Sequence, residues 1–185
     1  MNHSAFLLRV LVLAVLLSTV LTPSSFAQAP APAQNVIQIP GLRGRVTVRR
    51  DYRGIPYISA SNEADLFFAQ GYITASDRLF QMDFLRRTVR GELAEVLGQA
   101  ALSQDRRHRT LGYAGVIDAT AAKMTPEVLT VLEAYANGVN AFIASRTDQN
   151  LPPEFLILQY KPRPWVPADS LARYRIDRSW TELRI

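Results

Sequence analysis

The stretch that decides the fold runs from residue 71 to residue 95 and reads GYITASDRLFQMDFLRRTVRGELAE. Apolar residues recur in it every three or four positions, which is the spacing of one face of an α-helix. We therefore predict one long helix, buried over a broad arc and bent near Gly71 or Gly91. The predicted buried positions form one row at Met82, Leu85, Val89, Leu93 and Val96 and a second row at Ile73, Ser76, Phe80 and Phe84.

Charged residues in the same stretch are spaced so that they can pair along the helix. Asp83 precedes Arg86 and Arg87 by three and four residues, the separations at which helical side chains are neighbours. Gly98 stands where a left-handed residue would cap the C-terminus. The pattern predicts a core helix with its own ion pairs, ending at Gly98.

Five blocks of sequence around this stretch resemble one family when they are taken in order. They resemble the N-terminal α-subunit of the penicillin acylase family of N-terminal-nucleophile amidohydrolases, whose relatives include cephalosporin acylases and acyl-homoserine-lactone acylases. The resemblance covers about residues 46–172, and five ordered blocks are more specific than a single motif. The blocks are RDYRGIPYI at 50–58, DLFFAQGY at 65–72, ASDRLFQM at 75–82, LPPEF at 151–155 and PRPWVPADS at 162–170.

The resemblance implies an α+β fold class. This chain would supply a mostly helical α-subunit fragment with a short N-terminal β-hairpin to an αββα sandwich of two antiparallel sheets. The activity implied is hydrolysis of linear amide C–N bonds, in antibiotic or acyl-homoserine-lactone side chains. Enzymes of the family arise from a self-cleaving precursor, or zymogen, in which a serine at the new β-subunit N-terminus is the nucleophile and its own α-amine the base.

The same resemblance implies that this chain holds no catalytic residue, no cofactor-binding residue and no metal ligand. The oxyanion is stabilised by the β-subunit, and the calcium ligand and acyl-pocket residues of the family's α-subunit lie beyond the matched region. Calcium remains possible in a full-length family enzyme. We expect a β-subunit partner, a small-molecule amide substrate and no activity of the chain alone.

The residues themselves carry little chemistry. The chain has two histidines and no cysteine, which disfavours a zinc site. With His3 in the leader, a Ser-His-Asp arrangement would have to use His108, and no serine is placed beside it. Three neighbouring arginines disfavour its protonation, so we interpret His108 as structural. Glu92 and Glu95, three residues apart, are interpreted as helix surface and not as an acid/base pair.

The N-terminus reads as an export signal. Residues 1–27 contain Arg9, an apolar run and a small-residue cleavage site ending at Ala27. The apolar run is shorter than the roughly 20 residues of a spanning helix, so we favour cleavage over an uncleaved anchor. We expect a periplasmic or secreted protein without stable membrane insertion, beginning with a Pro/Ala-rich linker at 28–44.

Composition sets further bounds. The chain of 185 residues is 48% hydrophobic with a formal net charge of +5, enough for one domain with a real core. Its arginines cluster at 43–53, 86–90 and 106–109, without the interleaved aromatic residues or reading motif of a nucleic-acid binder. We predict no nucleic-acid partner, and solvated faces and internal ion pairs for these clusters.

Two β-rich runs at 45–49 and 55–60, joined by a loop containing Gly54, predict an antiparallel hairpin. Pro56 cannot donate to a ladder, so its strand lies at an edge or begins there. The hairpin leads into the first helix, which can be capped by Ser61, Asn62 or Asp65.

The later part of the chain is less regular. Residues 104–109 suggest a charged turn or a short helix. Thr125, with Pro126 and Glu127 after it, predicts the start of a second long helix, which ends before residue 147. The Pro-rich passage at 151–167 is predicted to be irregular chain, anchored on the core by Phe155, Leu158 and Trp165. The apolar stripe of the second helix comprises Val128, Leu132, Tyr135, Val139, Phe142 and Ile143.

The chain departs from the family pattern at three places. Tyr57 stands where a histidine is usual, and Arg163 occupies a variable position between two prolines. The third is the tail at 173–185, where the family continues into an apolar helix. If residues 173–176 were encoded CGC-TAT-CGG-ATC, the next frame would give Ala-Ile-Gly, the family continuation. We therefore expect the region 45–172 to be acylase-like and the tail to be frame-shifted, or the chain to be a natural short paralogue.

Two other functions stay open on the sequence alone. One is a secreted, non-catalytic helical binding protein on the acylase α-scaffold. The other is a membrane-anchored interaction segment, which would need an uncleaved N-terminus. An acylase fragment should expose apolar faces that a partner normally covers, so we expect the chain to aggregate or be degraded when it is alone.

Overall fold

The computed structural model describes residues 36–172, which form a mostly helical structure with one small sheet. This confirms an α+β fragment with an N-terminal hairpin. The predicted signal peptide, most of the predicted linker and the divergent tail lie outside the described residues. In chain order the elements are β1 (Thr47–Arg50), β2 (Pro56–Ser59), α1 (Glu63–Arg90), α2 (Ala94–Leu97), a 3-10 turn (Gly98–Ala101), α3 (Leu102–Thr110), α4 (Tyr113–Ala121), α5 (Pro126–Ala144) and α6 (Pro153–Ile157). Residues 167–172 are also helical.

The hairpin has the predicted antiparallel pairing, with Arg50 opposite Pro56. Pro56 is the first residue of β2, where its missing N–H costs least. The turn is closed by Asp51, whose carboxylate accepts the backbone N–H groups of Arg53 and Ile55, both at 2.9 Å. This is the Asx-type bonding that favours aspartate in turns.

Helix α1 is fixed at its start by two of the three predicted capping residues. Asn62 is the N-cap, and its side-chain oxygen accepts the backbone N–H of Asp65 at 2.8 Å. The buried carboxylate of Asp65 accepts the backbone N–H groups of Arg43 at 2.9 Å and Gly44 at 2.8 Å. One carboxylate thus holds the segment before the hairpin against the first turn of α1.

The bend and the end of α1 differ from the prediction. The backbone leaves helical geometry at Arg78 (φ −147°, ψ 27°) and not at a glycine. Gly91 (φ 66°) caps the helix, with its N–H directed to the carbonyls of Arg87 and Thr88. The helix therefore ends at Arg90, with its cap seven residues before Gly98, since the first glycine able to take the left-handed conformation ends it.

Helices α1 and α5 pack closely because glycines face each other's backbone. A Cβ on Gly71 would clash with the backbone carbonyl of Tyr135, and a Cβ on Gly138 would clash with that of Phe68. Gly71 is therefore a packing residue and not a hinge. The core that this contact creates contains Ala75, Leu79, Met82, Ala136, Val139, Phe142, Phe155 and Trp165.

The buried face of α1 is only partly the predicted one. Met82, Val89 and Leu93 are buried, but Ser76 is exposed. The other three residues of the second predicted row, Ile73, Phe80 and Phe84, are half-buried. The buried positions of α1 also include Phe68, Ala75, Leu79 and Arg86, which neither predicted row contained.

The region at 99–124 is helical, and a buried aspartate organises it. The carboxylate of Asp105, 4% exposed, accepts the backbone N–H groups of Leu93 at 3.0 Å and Ala94 at 2.7 Å. It therefore caps α2 from α3. The sequence left a charged turn and a short helix open for residues 104–109, and the helix is observed. The burial of Asp105 was not predicted, because this residue lies in a run of charged residues.

The Pro-rich passage lies over the core as predicted, but it contains the short helix α6. Phe155 is 1% exposed and Trp165 is 6% exposed, and Leu158 is half-buried. Asn140 of α5 holds the passage by two bonds to the backbone of Trp165, donating to its carbonyl at 2.9 Å and accepting from its N–H at 2.7 Å. Within residues 36–172, no helix combines the length and the apolar character needed to cross a membrane.

Candidate functional site: a buried arginine–aspartate network beside a groove

The polar centre of the molecule is an ion-pair network on α1. Asp83 is fully buried and Arg86 is 1% exposed. The Nε of Arg86 donates to one oxygen of Asp83 at 2.7 Å, and the Nε of Arg87 donates to the other at 3.0 Å. The predicted pairing is confirmed. It lies in the core, where the charges must be paired because desolvation is costly.

Asp169 is the second acid of this network and joins the last described turn of the chain to α1. Its side chain accepts from Arg86 at 3.2 Å and from Arg163 at 3.0 Å, and lies 3.5 Å from the Nε of Arg90. It also accepts the backbone N–H of Val166 at 3.2 Å, at the start of the helical residues 167–172. Residues 163–169 are thereby held onto α1 by charge as well as by packing.

Aromatic rings cover the arginines of the network. The guanidinium of Arg86 lies 5.0 Å from the ring centroid of Trp165, and that of Arg87 lies 5.1 Å from the ring of Tyr160. The Tyr160 hydroxyl donates to Asp83 at 2.8 Å. Burial and this bond to a carboxylate raise the pKa of Tyr160 well above its usual range. Tyr160 is therefore a fixed donor and is not available as a base.

The flanking arginines are also paired. Burial lowers the pKa of Arg87, but the charge of Asp83 and further bonds outweigh this effect and raise it. Burial also lowers the pKa of Arg90, but the hydrogen bonds and the charge of Asp118 outweigh it, so that the pKa is raised overall. The arginine cluster at 86–90 is thus made of internal ion pairs, as predicted.

A groove of about 470 Å³ lies between α1, α5 and residues 165–170, which we call the Trp165 segment. We call this groove the α1–α5 groove. Its volume is in the range of sites that hold small molecules or protein side chains. Both walls mix polar and apolar side chains, and the exposed polar ones on α1 are Gln70, Arg78 and Gln81. The lining residues are Phe67, Gln70, Thr74, Arg78, Gln81, Met82, Leu85, Arg86, Val131, Leu132, Tyr135, Trp165, Asp169 and Ser170.

The residues that sequence inspection weighed for catalysis have structural contacts. His108 uses Nδ1 to contact the backbone carbonyl of Thr88, and its ring packs edge-on to Tyr113 with centroids 5.5 Å apart. This contact requires the tautomer that carries the proton on Nδ1. His108 therefore fastens α3 to the end of α1.

The two glutamates are ion-paired separately. Glu95 accepts from Arg87 at 2.8 Å, and Glu92 lies 4.0 Å from Arg163. They pair with different arginines, which supports their interpretation as ion-paired residues and not as an acid/base pair. Among residues 36–172, no group of three His, Cys, Asp or Glu side chains is placed to hold a metal ion.

Taken together, the described residues define a helical scaffold whose buried charges hold its own segments together. Comparison with known proteins shows which family this scaffold belongs to. A sequence model described as penicillin amidase matches residues 45–178, and the chain belongs to that family.

Two curated relatives show the extent of the similarity. The chain is 43% identical over 144 residues to the penicillin acylase 2 proenzyme of Pseudomonas sp. (strain SE83), a match covering 78% of this chain and 18% of the relative. It is 37% identical over 145 residues to the acyl-homoserine lactone acylase QuiP of Pseudomonas aeruginosa, covering 78% of this chain and 17% of the relative. The chain thus spans less than a fifth of the length of the curated relatives it matches.

A solved structure agrees with the sequence matches. The thermostable penicillin G acylase from Alcaligenes faecalis superposes with a TM-score of 0.62 at 31% identity, over 69% of this chain and 69% of the chain compared. The architecture of the described residues is therefore that of part of a penicillin G acylase.

Proposed function

We propose that this chain is the N-terminal α-subunit portion of a penicillin acylase-like amidohydrolase that cleaves linear amide C–N bonds. The observation that carries the proposal is the family match over residues 45–178, combined with coverage of only 17–18% of the enzymes named penicillin acylase and acyl-homoserine lactone acylase. The activity of those enzymes belongs to a chain several times longer than this one.

The contacts of the described residues support a scaffolding role. His108 and Tyr160 are engaged in bonds within the chain, and Asp83 and Asp169 accept from arginines that stay charged. A nucleophile would come from the β-subunit, as an N-terminal serine whose own α-amine serves as base. The chain alone is proposed to be inactive and to complete an αββα sandwich only with that partner.

Amide hydrolysis with and without a partner tests this proposal. The chain is assayed alone and co-expressed with the β-chain of the Pseudomonas penicillin acylase 2 relative, with a chromogenic phenylacetyl amide and with a long-chain acyl-homoserine lactone. We expect turnover only in the complex, and the faster of the two substrates indicates the acyl class. Turnover by the lone chain, lost on replacing His108, would contradict the proposal.

Export is proposed from the sequence of residues 1–27, which contains Arg9, an apolar run and a small-residue cleavage site. Cleavage after Ala27 would leave Gln28 as the mature N-terminus, in the periplasm or outside the cell. Intact-mass measurement of the protein recovered from the periplasm and from the membrane tests this. A mass that retains residues 1–27 in the membrane fraction would favour an anchored chain.

A further inference from the structure

Arg78 differs from the arginines of the buried network because it forms no ion pair or hydrogen bond with the described residues. It is exposed at the bend of α1 and lines the α1–α5 groove. By contrast, Arg86 in the same groove wall is paired with Asp83 and Asp169. The groove therefore presents one guanidinium whose five donors are available to an incoming group.

The surroundings of Arg78 suit a segment that is partly polar and partly apolar. Gln70 and Gln81 are exposed on the same wall, and their side-chain amides form no hydrogen bond with the described residues. Opposite them stand Leu132 and the Trp165 segment. An occupant would bring a carboxylate for Arg78, hydrogen-bonding groups for the glutamines and apolar side chains for Leu132 and Trp165.

We propose that the α1–α5 groove is a docking site for a carboxylate-bearing segment of the proposed β-subunit, with that carboxylate paired to Arg78. The inference rests on the proposed function and adds to it the place and the chemistry of the contact. The matched relatives are more than five times longer than the match, so most of such an enzyme lies outside this region and is available to cover the groove. The formal net charge of +5, which becomes +4 when cleavage removes Arg9, adds a long-range attraction for an acidic partner.

The exposure of the polar side chains on α1 favours a protein segment over a free small acid. Arg78, Gln70 and Gln81 are all exposed, whereas sites for small molecules enclose most of their ligand. A small acid at this wall would stay largely hydrated and would bind weakly. A protein segment that is also bound through the rest of a larger interface holds its carboxylate near Arg78 at a high effective concentration, so that even a weak contact is occupied.

Charge reversal at Arg78 tests the proposal. The tagged chain is titrated with the β-chain of the Pseudomonas penicillin acylase 2 relative, and the Kd is measured by biolayer interferometry. We expect R78E to weaken binding at least tenfold and R78K to retain part of the affinity. Arg106 is exposed on α3, away from the groove, and the Kd of R106E should stay within twofold of that of the parent. Circular dichroism checks that the variants keep their helices.

The outcomes separate this inference from the proposed function. If the unmodified chain does not bind the β-chain, the proposed function fails and the docking site with it. If it binds and R78E binds equally well, only the docking site is refuted. Saturable binding of octanoate to the lone chain, lost in R78E, would assign the groove to a small acid and also refute it.

Photo-cross-linking gives a readout that does not depend on affinity. A benzoylphenylalanine at Gln81 in the groove should cross-link to the β-chain, and mass spectrometry should locate the cross-link within a few residues of an acidic side chain. The same probe at Gln104, which is exposed on α3, should not. Cross-links from Gln104 and none from Gln81 would place the interface elsewhere.

Discussion

The buried network predicts an unusually large effect from a change of one atom, Asp83→Asn. The carboxylate of Asp83 accepts from Arg86, Arg87 and the Tyr160 hydroxyl. Asparagine keeps one acceptor oxygen and turns the other position into an NH₂ donor. At least one of the three donors would then face another donor inside the core, and the buried guanidinium groups would lose half of their shared negative charge.

The size of the effect follows from burial. Removing one partner of a buried ion pair typically costs about 3–5 kcal/mol, because a desolvated charge is left behind. The side chains of Asp83 and Arg86 are each 1% exposed, so water does not replace the lost carboxylate. We expect Asp83→Asn to lower the free energy of unfolding by about 3–5 kcal/mol, or at least two orders of magnitude in the folded-to-unfolded ratio.

The assay must tolerate a chain that is expected to aggregate. Display on yeast with a protease titration reads unfolding of separated molecules, and Asp148→Asn provides the matched control. Asp148 pairs with Lys161, but their side chains are 73% and 67% exposed, so that pair should contribute about 0–1 kcal/mol. Equal protease resistance of the two variants would refute the argument that the network is desolvated.

Four further substitutions test other features of the fold, and the same protease titration measures each of them. Gly71→Ala should destabilise by about 1–3 kcal/mol because its Cβ would meet the α5 backbone, whereas Gly115→Ala on α4, with open space around it, should stabilise by up to about 1 kcal/mol. The backbone N–H of Arg43 lowers the pKa of Asp65. The ionised carboxylate therefore stabilises the fold above the ordinary pKa of 3.8, and this stabilisation is lost as pH falls through the lower pKa of the folded state. The difference in stability between the parent and Asp65→Asn should therefore disappear in acid. Tyr160→Phe should cost about 1.5–3 kcal/mol, the contribution of a hydrogen bond to a charged group.

The sequence predicted elements where the local signal is strong. The hairpin, the Asn62 cap, the Asp83 pairs and the start of α5 at Pro126 depend on residues within a few positions of each other. Local contacts of this kind can be read from spacing alone. The same holds for Phe155 and Trp165, whose size makes their burial in a Pro-rich passage energetically favourable.

The misses share a different cause, since each depends on a residue distant in sequence. Asp105 looks like part of a surface run until α2 is placed beside it, and nothing near Asp169 in the sequence indicates Arg86, which lies 3.2 Å away across 83 positions. Gly71 looked like a hinge because the helix facing it was not known. Apolar periodicity also cannot count Arg86 as a core residue, although its burial is nearly complete.

The polar interior of the described residues bears on how a β-subunit would contact them. Each buried acid described here is used to hold a segment in place: Asp65 the N-terminal loop, Asp105 the start of α2, and Asp83 and Asp169 the Pro-rich passage. These bonds leave the interior carboxylates of the fragment occupied, while Arg78 is left exposed in the groove. We therefore do not expect a partner to displace the ion pairs of the buried network. The exposed guanidinium of Arg78 instead favours a contact with an acidic side chain of the partner.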